Sequence, residues 1–194
     1  WVIQKELQRR GENDEYAADI VVGAVLRGII GAKLWYVALT RDLDALVSRG
    51  GLVWYGGFVG GVAAVLFNGW RKRIPATTTM DLTAPALAVG YALGRVGCFL
   101  VQDDYGMPTT LPWGMKFPQG LPPTTAAELQ KYGATVSPNA PPWEILAVHP
   151  TQLYETALML LAFWAIWRVR AHRHKPGWLF GVYLAFAGME RFLV

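Results

Sequence analysis

Residues 52–69 run through LVWYGGFVGGVAAVLFNG without one charged side chain. As a helix this stretch measures about 27 Å at roughly 1.5 Å per residue, close to the hydrocarbon thickness of a bilayer. A helix at the surface of a soluble protein keeps a polar stripe facing water, and this run has none. Four further apolar runs lie near 17–40, 82–101, 151–167 and 177–194. The composition agrees: of 194 residues, 53% are hydrophobic and only 16% charged, too apolar a balance for an ordinary soluble domain. The expected fold class is all-α. The chain reads as a polytopic helical membrane protein, with about five complete spans, a truncated first one and a long outer loop or cap. The opening WVIQKEL reads as the cytoplasmic end of that first helix.

The net charge of +4 is placed by topology. Lys5, Arg9 and Arg10 precede the 17–40 run, Arg71, Lys72 and Arg73 follow 52–69, and Arg168, Arg170, Arg173 and Lys175 follow 151–167. These positions fall in alternate loops, whereas the opposite loops hold only Arg41, Arg49, Lys116 and Lys131. An excess of Lys and Arg marks the cytoplasmic side, so the basic balance argues for no nucleic-acid partner. The organisation expected is one transmembrane domain over 1–194, with 102–149 as an outer segment rich in proline, glycine and threonine. Trp35, Tyr36, Trp54 and Tyr55 then fall at the outer boundary, with Trp70, Trp167 and Trp178 at the inner one, as aromatic belts do.

Small residues recur at four- or eight-residue spacing: Gly56 and Gly60, Gly57 and Gly61, Gly23 and Gly31, Gly90 and Gly94. Such pairs allow helix backbones to approach closely and, near the boundary, leave room for a headgroup. Ionisable residues within the runs are Arg27, Lys33, Arg95, Glu155, Glu190 and Arg191; residues of this kind are costly in a membrane and mark function. Arg95 lies roughly 9 Å below the outer end of its span, and Arg191 roughly 20 Å above the inner end of its own. Lys33, Tyr55 and His149 fall in the same outer layer. Several cations there need anions. Glu155 and Glu190 supply some as a structural ion-pair network, and a phosphate, which arginine grips bidentately, is the other solution. HPTQLYE suits a helix start, with Pro150 at the first position, His149 as N-cap and Gln152 reaching back to it. Gln152 and Glu155 share a face. Asp103 and Asp104 lack a further carboxylate at helical spacing, so no metal is expected. Cys98 has no adjacent base and is expected to pack.

The blocks GGLVWYGGFVGG, GRVGCFLVQDDYG, HPTQLYE and GMERFLV, with RGIIGAKLWYV before them, resemble in order and spacing the prolipoprotein diacylglyceryl transferase family. The resemblance covers essentially the whole chain. It implies transfer of the diacylglyceryl group of phosphatidylglycerol to the lipobox cysteine thiol of a prolipoprotein, the first step of bacterial lipoprotein maturation. Glycerol 1-phosphate leaves, no cofactor is required, and the chemistry lies at the outer face of the inner membrane. Phosphatidylglycerol, the prolipoprotein signal peptide and membrane lipids are the implied partners. By motif, Arg95 matches the family's essential GRxG arginine and Arg191 the arginine of its late-span block, Gly94 and Gly97 match its motif glycines, and Asp81 the aspartate opening that span. Lys33 stands where an arginine is common, and Gly56 and Gly57 form the glycine pair.

Three positions depart from the family pattern. Tyr55 replaces a histidine before the glycine pair, Cys98 an asparagine, and Ala187 a tyrosine. The proton acceptor is Tyr55 or His149, with catalytic roles also expected for Arg95 and Arg191; Lys33, Gly56, Gly57, Gly94, Gly97, Gln152 and Glu155 are expected to bind substrate. The competing readings are an inactive paralogue that binds phospholipid or prolipoprotein, and a lipid transporter. The apolar inner halves of 52–69 and 151–167 offer a transporter no polar path.

Overall fold

The computed structural model describes residues 1–47 and 51–194; Arg49 of the opposite loops lies outside them. The described residues form α1 (Val2–Arg10), α2 (Tyr16–Thr40), a 3-10 turn (Asp44–Val47), α3 (Trp54–Arg71), α4 (Ala76–Val101), α5 (Ala126–Lys131), α6 (Thr151–Val169) and α7 (Trp178–Leu193). Strand pairing among them is confined to isolated bridges, Pro108 and Met115 with Val148, and Thr125 with Ile145. The class is all-α, as expected. Two helices, Tyr16–Thr40 and Ala76–Val101, are long and apolar enough to cross a membrane. The other long helices carry polar residues at their ends: α3 finishes in Asn68 and Arg71, α6 opens with TQLYE, and α7 closes on Glu190 and Arg191. The outer surface of α2 exposes Val22, Leu26, Ile29 and Ile30, an exterior that is stable against hydrocarbon and not against water.

The chain divides into two compact units, residues 1–86 with 172–181, and residues 87–171 with 182–194. In the first, α2 packs on α3 through bare backbone. A Cβ on Gly31 would collide with the Gly56 carbonyl oxygen, one on Gly56 with that of Gly31, and one on Gly60 with that of Arg27. The sequence spacing thus becomes backbone contact, the usual means of joining helices where lipid supplies no hydrophobic drive. Gly57 and Gly61 make only ordinary contacts. Gly90 and Gly94 depart from expectation, since a Cβ on either would meet nothing within 4 Å. Ile3, Leu7, Ile20, Ile74 and Leu82 form an apolar cluster beneath α1. Lys72 Nζ meets an Asp19 carboxylate oxygen at 2.8 Å, and Asn68 Nδ2 donates to the Asp19 carbonyl at 3.1 Å.

Asp81 is buried on α4 and accepts from Gly177 N at 2.8 Å and Phe180 N at 2.9 Å. It therefore caps the start of α7 from a distant position in sequence. The free N–H groups there favour an anion. Pro85 lies inside α4 and removes one intrahelical hydrogen bond.

The second unit contains 102–150, which folds around Phe117, Leu129, Ala134 and Val148, with Phe99, Tyr105 and Met115 against them. Met115 and Val148 exchange backbone hydrogen bonds at 3.0 and 2.8 Å. Thr125 caps α5, its hydroxyl accepting from Glu128 N at 3.3 Å. Tyr105 stacks on Phe117 and donates to the Pro122 carbonyl at 2.7 Å, and burial pushes its phenol above the ordinary range.

The glycine contacts yield a paired test. Gly31→Ala should lower stability by about 1–3 kcal/mol, the usual cost of overpacking. Gly90→Ala should be neutral or stabilising by up to about 1 kcal/mol through helix propensity. Thermal melting of the purified protein in detergent checks both.

Candidate functional site

The second unit gathers its ionisable groups around Arg95, a residue of α4 whose side chain is mostly buried. Nη2 donates to Glu155 Oε1 at 2.7 Å and to the Asp104 carbonyl at 3.3 Å. Nη1 donates to Asp104 Oδ2 at 3.0 Å and lies 3.5 Å from Cys98 Sγ. The fifth donor, Nε–H, is buried and has no partner. Glu155 is 2% exposed and Asp104 far more open, with 67% of its side chain accessible. The two ion pairs therefore differ in kind. Removing a partner from a buried pair costs about 3–5 kcal/mol, whereas an exposed pair contributes about 0–1 kcal/mol. An anion could take the place of Asp104 on the guanidinium at little cost, while Glu155 holds the arginine in place.

Helix register builds this arrangement. Tyr91 and Arg95 are four apart on α4 and share a face. Tyr91 Oη donates to Glu155 Oε2 at 2.7 Å and lies 3.3 Å from Glu190 Oε2. Arg191 Nη1 lies 3.8 Å from Glu155 Oε2, its side chain largely exposed. Thr156 Oγ1 lies 3.4 Å from the Ala92 carbonyl, so α6 meets α4 one turn below the ion pair. After α4 the chain turns through Gln102 and Asp104, both with positive φ (61° and 51°). That turn aims Asp104 back at Arg95. It is fixed by Thr151 Oγ1, which donates to the Asp104 carbonyl at 2.9 Å, and by Gln152 Nε2, which donates to that of Asp103.

The HPTQLYE segment departs from the expected cap. α6 begins at Thr151 with Pro150 as N-cap and no side-chain cap bond. His149 is held in extended pairing instead, its N–H donating to the Met107 carbonyl at 3.0 Å and its carbonyl accepting from Gly106 N at 2.9 Å. Backbone committed to that pairing cannot also cap the helix. Gly106 is required there, because a Cβ on it would press into Thr151 and His149. The His149 ring lies 3.2 Å from Tyr154 Oη, which accepts from Trp113 Nε1 at 2.8 Å.

Of the residues singled out from sequence, Arg95, Glu155 and Arg191 meet in one charge cluster, and Gln152 buttresses it through the Asp103 carbonyl. His149 stands in its own chain with Tyr154 and Trp113. Gly94 and Gly97 lie on an open face of α4, where a Cβ would meet nothing. Lys33, Tyr55, Gly56 and Gly57 belong to the first unit. There Lys33 Nζ lies 5.8 Å from the Tyr36 ring centre, and Tyr55 is exposed edge-on to Trp54. Sequence reasoning missed Tyr91, whose four-residue spacing from Arg95 is a usable signal, and missed Asp104 as an arginine partner. Ligand atoms of Cys98, Asp103 and Asp104 lie within 4.8 Å of one another, but Arg95 already occupies the open carboxylate among them.

The difference between the two ion pairs can be measured. Glu155→Gln should destabilise the protein by about 3–5 kcal/mol, and Asp104→Asn by no more than about 1 kcal/mol, in thermal melts of the detergent-solubilised protein.

Comparison with known proteins places the chain in a family. The family profile described as prolipoprotein diacylglyceryl transferase matches residues 1–194. A phosphatidylglycerol–prolipoprotein diacylglyceryl transferase of Cereibacter sphaeroides is 38% identical over 184 residues, covering 90% of this chain and 58% of the relative. Proteins of the same name from Clostridium tetani and Thermosynechococcus vestitus are each 30% identical over the whole chain, which spans 72% and 70% of their lengths. The chain thus spans between about three fifths and three quarters of the relatives it matches. With every residue inside the family match and the motif arginine at the centre of its charge cluster, the chain belongs to the prolipoprotein diacylglyceryl transferase family.

Proposed function

We propose that the whole protein moves the diacylglyceryl group of phosphatidylglycerol onto the lipobox cysteine thiol of a prolipoprotein, releasing glycerol 1-phosphate. Family membership and the names of the relatives support the reaction class. The observation that carries the reading is the state of Arg95: anchored by a buried carboxylate at 2.7 Å, opposed by an exposed one, and holding a spare donor.

In this reading the phosphodiester oxygens displace Asp104 from the guanidinium. A carbon–sulfur bond then forms at the glyceryl carbon as its bond to the phosphate oxygen breaks. Negative charge grows on the departing phosphate, where Arg95 and Arg191 stabilise it, an effect strongest with water excluded. The thiol, with an ordinary pKa near 8.5, gives its proton to Tyr55 or His149, directly or through water. Substrate contacts are assigned to Lys33, Gly56, Gly57, Gly94, Gly97, Gln152 and Glu155. No metal or cofactor enters the scheme.

The reading also places the protein in the bacterial inner membrane as a multi-pass chain of about five spans and one partial span. The loops rich in Lys and Arg are cytoplasmic, and the chemistry faces the periplasm. Residues 1–194 then belong to one transmembrane domain, with 102–149 as its outer cap. This transfer is the first step in lipoprotein maturation.

Arg95→Lys tests the role directly. Lysine keeps the charge and loses the planar fork, so transfer from labelled phosphatidylglycerol to a lipobox peptide should fall by about 10²–10³. The full-length variant is compared with the parent in detergent, with folding checked by thermal melting. A near-parental rate would assign Arg95 to structure alone.

A further inference from the structure

Glu190 is a buried ionisable group beside the charge cluster that the reaction scheme leaves unused. It sits on α7 at 3% exposure, and Glu155 faces it from α6 at 2%. Both carboxyl groups approach the hydroxyl of Tyr91, at 2.7 Å from Glu155 Oε2 and 3.3 Å from Glu190 Oε2. A phenol has one proton, so it cannot satisfy both carboxylates at once. The cations are also unevenly divided. Arg95 is bonded to Glu155 and Asp104, and Arg191 reaches Glu155 at 3.8 Å. Among the described residues, no cation forms an ion pair with Glu190, and its Oε1 is buried without a hydrogen-bond partner. The titratable and charged groups around it are Tyr91 on α4, Glu155 on α6, and Tyr183 and Arg191 on α7.

Two adjacent carboxylates in an apolar site cannot both stay ionised without a cation each. A proton on Glu190 removes the conflict. Its O–H can be shared with Glu155, the pair carries one negative charge, and Arg95 balances that charge. From this geometry we infer that Glu155 and Glu190 hold a single proton between them at neutral pH, making Glu190 a positioning residue that acts on Arg95 through Glu155. The consequence rests on the phosphate-clamp reading above. With one negative charge beside it, Arg95 keeps donors for a phosphodiester. With two, both arginines are drawn onto the carboxylates and the phosphate must compete for them.

The shared proton has a spectroscopic signature that a purely packing role for Glu190 would not give. Infrared difference spectra of the full-length protein in phosphatidylglycerol nanodiscs should show a carboxylic-acid carbonyl band at neutral pH. The band should vanish in Glu190→Gln, and it should shift in Tyr91→Phe, which keeps the acid and removes the phenol donor. Kinetics supply the second readout. Glu190→Ala should raise KM for phosphatidylglycerol, and Glu190→Gln, a neutral mimic of the acid, should recover part of the loss. Absence of the band in the parent, or its persistence in Glu190→Gln, overturns the shared proton whether or not transfer is seen. A band that behaves as described in a protein without transfer contradicts the transferase reading and leaves the shared proton standing.

Discussion

The bond between Arg95 and Glu155 is the interaction on which the second unit is organised. Each is a charge set among apolar helices, and neither is tolerable without the other. Their 2.7 Å contact joins α4 to α6 and decides what the neighbouring groups must do. Tyr91 fills the second oxygen of Glu155, the turn at Gln102–Asp104 delivers a weaker counter-ion to the guanidinium, and Thr151 and Gln152 brace that turn. A guanidinium gripped firmly on one side and loosely on the other is suited to exchanging one partner without losing its place. Structural ion pairs and anion sites are often posed as alternatives. In the reading proposed for Arg95, the buried carboxylate makes an anion site possible, because it would fix the arginine while the outer partner leaves.

The first unit solves a different problem. Helices surrounded by hydrocarbon gain little from burying apolar side chains against each other, and α2 and α3 meet instead through the backbones of Gly31, Gly56 and Gly60. Polar groups are placed where helix ends need them. Asp81 satisfies the start of α7, and Asp19, near the start of α2, links Lys72 and Asn68. These contacts stabilise through geometry and hydrogen bonding, so small changes of volume or polarity there should be felt strongly.

Much of this was legible in the sequence, for identifiable reasons. The apolar runs predict helices because a run of that length has no other way to satisfy its backbone in lipid, and the observed helices follow them closely. Arg95, Arg191, Glu155 and Glu190 were legible as a group because charge in an apolar run is rare. What escaped was set by tertiary contact. His149 reads as a cap from the following proline, yet its backbone pairs with Gly106 and Met107. Gly90 and Gly94 carry the same spacing as Gly56 and Gly60, yet spacing alone does not say which face meets a partner. Asp104 gives no sign in the sequence of being an arginine partner, because a positive-φ turn is what aims it at Arg95. The link from Asp81 to the start of α7 joins residues nearly a hundred positions apart, and no local pattern encodes it.

The central claim is that this arginine cluster serves the transfer of a lipid group and not merely the cohesion of the helices. Mass spectrometry of a synthetic lipobox peptide, incubated with the full-length protein in phosphatidylglycerol nanodiscs, addresses it most directly. The account predicts a peptide heavier by one diacylglyceryl group on its cysteine, with glycerol phosphate released in equal amount. An unmodified peptide, in the presence of folded protein that binds phosphatidylglycerol, would contradict it.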